Sequence, residues 1–360
     1  MTFRRPRTVL ATIGFASILA LTACSSGPGE GSGAASDVPA VDVGSGEIQP
    51  KTDSTKLAAV ITGPPTGSYA AAQEASVKQR AEELGYDIDV YFDDLTPDKE
   101  LQNFQHIISD PQYAGVVLEP LGPQLCAPIR DQAPQANLLV SVVAVALCDD
   151  GTGIGKDLWA EGTLTYVGGM AVRPGPDLVL EEAARQHPGD EPYKVAMITG
   201  AQGHSTSSVA WEAAWEDFSK EHPNWELVGH VYTDWTTPDA FQKTQNLLTA
   251  NPDIDMTFSS YIDIAEGVSK AVEAQGLSDQ ISVYSHIAGN KVAHEMVKSG
   301  QLAGVYPAFP ASMMAAGVDA IDAALKGESV DRYIPNDGNA DFGDLGVITK
   351  DNLDQWTPDH

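Results

Sequence analysis

The chain has 360 residues, 42% of them hydrophobic, and carries 50 acidic against 21 basic side chains for a formal net charge of −29. So acidic a chain excludes binding to nucleic acid or to an anionic membrane by charge, because both are themselves negative. The acids are spread along the chain rather than blocked, which is the pattern of a solvated surface.

The first element is a leader. Arg4, Arg5 and Arg7 make a basic start, and Val9 to Leu21 is an uncharged, almost wholly apolar run of 13 residues. Crossing a bilayer core takes about 20 such residues, so the run has the length of a signal-peptide core. It ends in Leu21-Thr22-Ala23-Cys24, which resembles the bacterial lipobox. That resemblance implies removal of residues 1–23, lipidation of Cys24, and a place on the extracytoplasmic face of the cell membrane. Residues 24–55 are rich in Gly, Ser, Ala, Pro and Asp, and are expected to form a flexible tether.

From Lys56 the pattern alternates strand and helix. Leu57 to Thr62 is an apolar strand, followed by a Gly/Pro loop and a helix from about Tyr69 to Gly85. Ile88 to Phe92 is the second strand. Thr96-Pro97-Asp98 then starts a helix with an N-cap Thr, a first-turn Pro and an acid. Asp110-Pro111 stops it. Ala114 to Leu118 and Leu138 to Val145 are strands three and four. The order returns with the strand Val195 to Thr199, a helix from about Ser205, and the strand Leu227 to Tyr232. The helix start Thr237-Pro238-Asp239, the stop Asn251-Pro252 and the strand Met256 to Ser260 complete it. The two Thr-Pro-Asp starts lie 141 residues apart, as do Pro111 and Pro252. Two landmarks at one offset predict two copies of one α/β unit, each a doubly wound parallel sheet. Ligands of such sheets sit outside the carboxyl ends of the strands at the topological switch point. An exported, tethered, two-lobed chain is expected to close on a solute.

Cys126 and Cys148 remain, in a compartment that sustains disulfides. A bond between them is expected, with two buried free thiols as the alternative. No histidine stands at zinc-type spacing from either, so no metal is expected, and no cofactor. Gly151 to Lys156 lacks the spacing of a phosphate loop and reads as a surface turn. Neither G-x-S-x-G nor H-E-x-x-H occurs, and no enzyme is expected.

Glu83-Leu84-Gly85-Tyr86, Asp98 to Gln105, Gly200-Ala201-Gln202-Gly203, Gln245 to Asp253, Gly300 to Gly304 and Ala324 to Glu328 resemble the type I periplasmic solute-binding proteins of ABC transporters, in the ribose-like sugar-binding subgroup. The resemblance implies two α/β lobes joined by a hinge of three crossings, near Gly168-Gly169, Pro307 to Pro310 and Asn336 to Asn339. The N-terminal lobe would hold residues 56–168 plus about 308–337. The C-terminal lobe would hold residues 169–307 plus about 338–360. It also implies a small solute as ligand and permease subunits as partners, a sensor in the membrane being the alternative partner. A monomer is expected.

The chain departs from the sugar-binding pattern where charged and amide side chains usually grip hydroxyls. Ala144-Val145 stands for an Asp-Arg pair, Trp211 for an arginine, Tyr261-Ile262 for Asn-Asp, His286-Ile287 for an aspartate and Ala308 for a glutamine. The candidate ligand-binding residues are therefore Tyr69, Trp211, Tyr261, His286, Tyr306 and Phe309, with Trp235 a weaker one. They predict a cleft of ring faces with few fixed charges, suited to a stacked sugar or to a flatter, more apolar solute. Burying an unpaired hydroxyl costs about 1–3 kcal/mol, so a polyol would need partners such as Gln202, Glu119 or Asp263. Trp211 and Trp215 lie four apart on one helix, which equally suits packing of one of them in a core.

Overall fold

The central strands are short runs apolar at nearly every position, because a parallel strand covered by helices is buried on both faces. The computed structural model describes residues 38–148, 155–168, 175–335, 346–358 and 360. The chain opens with β1 (Val41–Asp42) and β2 (Glu47–Ile48), then β3 (Lys56–Ile61), α1 (Ser68–Leu84), β4 (Asp87–Phe92) and α2 (Pro97–Ser109). It continues through β5 (Tyr113–Leu118), α3 (Cys126–Ala136), β6 (Leu139–Val143) and β7 (Thr165–Gly168). Next come α4 (Gly175–Gln186), β8 (Tyr193–Thr199), α5 (Ala210–Glu221), β9 (Trp225–Tyr232) and α6 (Thr237–Ala250). The last elements are β10 (Met256–Ser259), α7 (Ile262–Ala274), β11 (Ser282–His286), α8 (Lys291–Ser299), β12 (Gly304–Tyr306), α9 (Pro310–Leu325) and β13 (Tyr333–Pro335).

Two parallel sheets result. One runs β13-β7-β6-β5-β3-β4 and the other β12-β11-β10-β8-β9. In each, the first strand of the unit lies between its second and third, so the winding reverses there. β3 sits between β4 and β5, and β8 between β9 and β10. The doubly wound α/β fold is thus present twice, with a switch point in each lobe.

Sheet membership follows the chain across the hinge. β12 belongs to the second sheet, while α9 packs on β5, β6, β7 and α1 of the first, so the chain crosses through Pro307 to Phe309. β13 returns to the edge of the first sheet, and Ile348 then pairs with Val305 in the second lobe. The other two expected crossings include Gly169 and Asn336 to Asn339, which lie outside the described residues. So do the leader, Cys24 and Gly151 to Ile154. Among the described residues no helix is long and apolar enough to cross a membrane.

Three local differences from the sequence reading have physical causes. Residues 38–55, expected within the tether, are packed: β1 and β2 pair antiparallel, and Val43 and Ile48 are fully buried in the first lobe's core. Two apolar residues anchor a stretch whose composition otherwise reads as flexible. Strand four ends at Val143 rather than Val145, because Ala144 turns into the left-handed region at φ 59°. The helix expected from about Ser205 starts regularly only at Ala210, after a π-helical segment, Ser205–Val209. Cys126 at the start of α3 and Cys148 beyond β6 are bonded, with Cα atoms 5.3 Å apart.

Candidate functional site

A cavity of about 320 Å³ lies where the two switch points face each other. That volume is at the small end of the roughly 300–1,000 Å³ usual for small-molecule sites.

The first lobe builds its wall around Asp93, a fully buried side chain just after β4. Its Oδ1 accepts the backbone N–H groups of Gly63 and Leu95, each at 2.8 Å, and its Oδ2 lies 3.0 Å from the Thr62 hydroxyl. One carboxylate thereby shapes the loops after β3 and β4, both of which line the cavity. Glu119 follows β5; its backbone N–H bonds Val60 O, and its carboxyl accepts from Gln73 Nε2 and, at 3.4 Å, from the Tyr69 hydroxyl. Gln73 and Tyr69 lie four apart on α1, so one helix face holds the acid in place.

The second lobe supplies the facing wall. Trp235 follows β9 at φ 71°, a left-handed conformation rare for a bulky residue. Its ring lies against the backbone of Gly200, where a Cβ would come within 2.3 Å of the indole. Gly200 is itself fixed by the Ser207 hydroxyl, which accepts its N–H at 2.9 Å and bonds Ser260 at 2.7 Å. Tyr261 caps α7, and Asp263 lies in that helix's first turn. Thr237 ties the start of α6 to α7 by donating to the Asp263 carbonyl at 3.0 Å.

The rings meet edge to face. Tyr69 and Tyr261 approach across the cleft at 6.3 Å and 78°, Tyr261 and Trp235 at 6.1 Å and 71°, and Trp235 and His204 at 4.8 Å and 72°. Glu119, Asp234 and Asp263 complete the polar lining, and among the described lining residues there is no lysine or arginine. Burial lifts the Glu119 carboxyl to about 8, against the lowering effect of Gln73 and Tyr69, with Asp93 and Glu100 adding repulsion. Burial, with Glu266 nearby, lifts Asp263 to about 6. Burial holds His204 down at about 4, so its imidazole is neutral at physiological pH. Burial also raises the Tyr69 and Tyr261 phenols well above their ordinary range.

Of the six candidate rings, the structure brings only Tyr69 and Tyr261 to the cavity, joined by Trp235. Trp211 is corrected: it is fully buried in the second lobe's core, 5.7 Å from Phe258. Its position on α5 points it at the sheet, and His204 and Thr206 of the preceding turn face the cleft instead. His286 is corrected likewise; it is fully buried beneath α4, where a Cβ on Gly175 would lie 2.2 Å from Nε2. The neighbouring Ile287, at φ 50°, faces the cavity. Tyr306 and Phe309 are buried in the same core and do not line the cavity. Glu119 and Asp263 line it, whereas Gln202 is exposed outside it. The expectation of few fixed charges is corrected by the three carboxyls. His204 and Asp234 were not anticipated; a strand-end position after β8 and β9 was the only sequence signal for them. Among the described residues no group of three or more His, Cys, Asp or Glu is placed to hold a metal ion.

Two doubly wound lobes with a cavity at their facing switch points give the fold and site of a solute-binding protein. Residues 58–329 match the family described as periplasmic binding protein domain, and the chain belongs to that family as a type I member of the ribose-like subgroup. The ribose import binding protein RbsB of Salmonella typhimurium is 25% identical over 260 residues, which are 72% of this chain and 81% of that protein. A periplasmic solute-binding protein of an ABC transporter from Actinobacillus succinogenes, solved with bound D-allose, superposes with a TM-score of 0.67 at 20% identity, over 84% of this chain and 99% of its own. A solute-binding protein from Bacillus halodurans, solved with bound myo-inositol, gives 0.69 at 19% identity, over 84% and 97%.

Proposed function

We propose that this protein is the solute-binding lipoprotein of an ABC importer. Cys24 holds it to the extracytoplasmic face of the cell membrane, the cleft captures a sugar or sugar-like solute, and the closed form delivers that solute to a permease. The observation that carries this reading is the cavity at the two switch points, walled by Tyr69, Tyr261 and Trp235. Ring faces stack on the apolar faces of pyranoses and inositols, and Glu119, Asp263 and Thr206 supply polar partners. The relatives named for ribose import, and the similar folds solved with D-allose and myo-inositol, support a polyhydroxylated ligand.

A thermal-shift screen of pentoses, hexoses, inositols, nucleosides and apolar aromatics tests it. A ligand at 100 times its Kd stabilises the folded protein against unfolding by about 2.7 kcal/mol and raises Tm accordingly. Tyr261→Ala should abolish that shift. A melt unmoved by every compound would overturn the reading. Cys24→Ala should release the protein from the membrane fraction; a variant still held there would remove the lipid anchor from the proposal.

A further inference from the structure

The charge lining the cleft is one-sided. Glu119 and Asp263 face the cavity from opposite lobes and Asp234 stands at its rim, with no lysine or arginine among the described lining residues. Glu119 is only 6% exposed. Asp263 is partly buried, and among the described residues its carboxylate accepts no hydrogen bond, although its backbone carbonyl does. Independently of the acids, Tyr69, Tyr261, Trp235 and His204 form a chain of rings set at 71–78° to one another. All four line the cavity beside the acids, and aromatic rings attract an organic cation through their quadrupoles.

From this geometry we infer that the solute of the cleft carries a protonated amine or quaternary ammonium, held between Glu119 and Asp263 against the faces of Tyr69, Tyr261 and Trp235. This rests on the cleft being the solute site proposed above and narrows the chemistry of what enters it. A neutral sugar needs hydroxyl partners but no net negative charge, and burial opposes ionising Glu119 and Asp263 beside it. An ammonium group offsets both. The raised Glu119 and Asp263 carboxyls agree: protonation relieves the buried charge, and an arriving cation would displace the proton from Glu119. The groups facing Glu119 are Tyr69 and Gln73 from α1, with Asp93 and Glu100 as further acids, and none of these is cationic. His204 is held neutral, and the attraction of His360 for Asp263 is smaller than the repulsion from Glu266.

Matched pairs of solutes test this on the full chain by calorimetry at neutral pH: D-glucosamine with D-glucose, D-galactosamine with D-galactose, and choline with its neutral carbon isostere dimethylbutanol. The sugar pairs and the choline pair separate a primary amine on a polyol from a quaternary ammonium. The charged member of at least one pair should bind about tenfold or more tightly than its neutral partner. Binding should release a proton, seen as heats that differ between buffers of unlike ionisation enthalpy. Glu119→Gln and Asp263→Asn, checked for native circular dichroism, should each lose about tenfold in affinity for the cation. Tighter binding of the neutral members would overturn the inference and leave the solute-binding reading intact. Absence of binding by every member, together with a silent thermal-shift screen, would overturn both.

Discussion

Glu119 carries a proton at neutral pH, because burial holds its carboxyl at about 8. The sign of its effect on stability follows. The unfolded carboxyl titrates near 4.3, so between the two values the folded state binds the proton and the unfolded state does not. The contribution of this group is therefore complete at low pH, is lost as pH rises towards about 8, and changes no further above that. Comparison with Glu119→Gln isolates it from Glu100, whose carboxyl burial lifts to about 7. The unfolding free energy of the native protein relative to Glu119→Gln should fall by a few kcal/mol between about pH 5 and pH 8. Urea denaturation across that range measures it, and a difference independent of pH would show the carboxyl to be unperturbed. Trp211 teaches the opposite lesson at the same scale. Its helix spacing with Trp215 was legible, and both pack on the second lobe's core, Trp211 fully and Trp215 in part, so that neither is left for the cleft.

At the scale of elements, the loops at the strand ends set the site. Leu95, Trp235 and Ile287, all non-glycine residues in the left-handed region, line the cavity. Such conformations cost about 1–3 kcal/mol each and persist where surrounding structure enforces them. For Trp235 the enforcement comes from the bare backbone of Gly200, over which the indole lies. Gly200→Ala should push the ring out of place, lower solute affinity about tenfold, and destabilise the fold by about 1–3 kcal/mol. Calorimetry and denaturation of the variant check both, and an unchanged affinity would mean that Trp235 takes no part in binding. The helix starts show how far local rules reach. Thr96 takes the N-cap position of α2 as its sequence suggests, though its hydroxyl donates to Asp94 O rather than accepting from the helix, and in α6 the cap moves back to Thr236, whose hydroxyl accepts the N–H of Asp239 at 3.4 Å. A second threonine at position 236 made that shift available.

At the scale of the molecule, the residues preceding β3 belong to the first lobe. Ile48 is fully buried, and the backbone N–H of Gln49 is held by Asn137 Oδ1 at 2.9 Å. Ile48→Asp should therefore destabilise the lobe by about 3 kcal/mol or more, because it buries an unpaired charge. A melting temperature unchanged from the parent would instead mark this stretch as part of the tether.

Strand and helix order, the offset repeat and the doubly wound class were all written in the sequence, because hydrophobic period, caps and proline stops act within a few residues of one another. The lining of the cleft was decided by tertiary structure alone. Tyr69 and Tyr261 come from different lobes and meet only when the two switch points face each other. Glu119 gains its raised carboxyl from burial, and His286 loses its place in the cleft to the packing of α4. A residue's type and spacing state what it can bind; which side of a strand end it occupies, and how much water reaches it, are settled by elements far away in the chain.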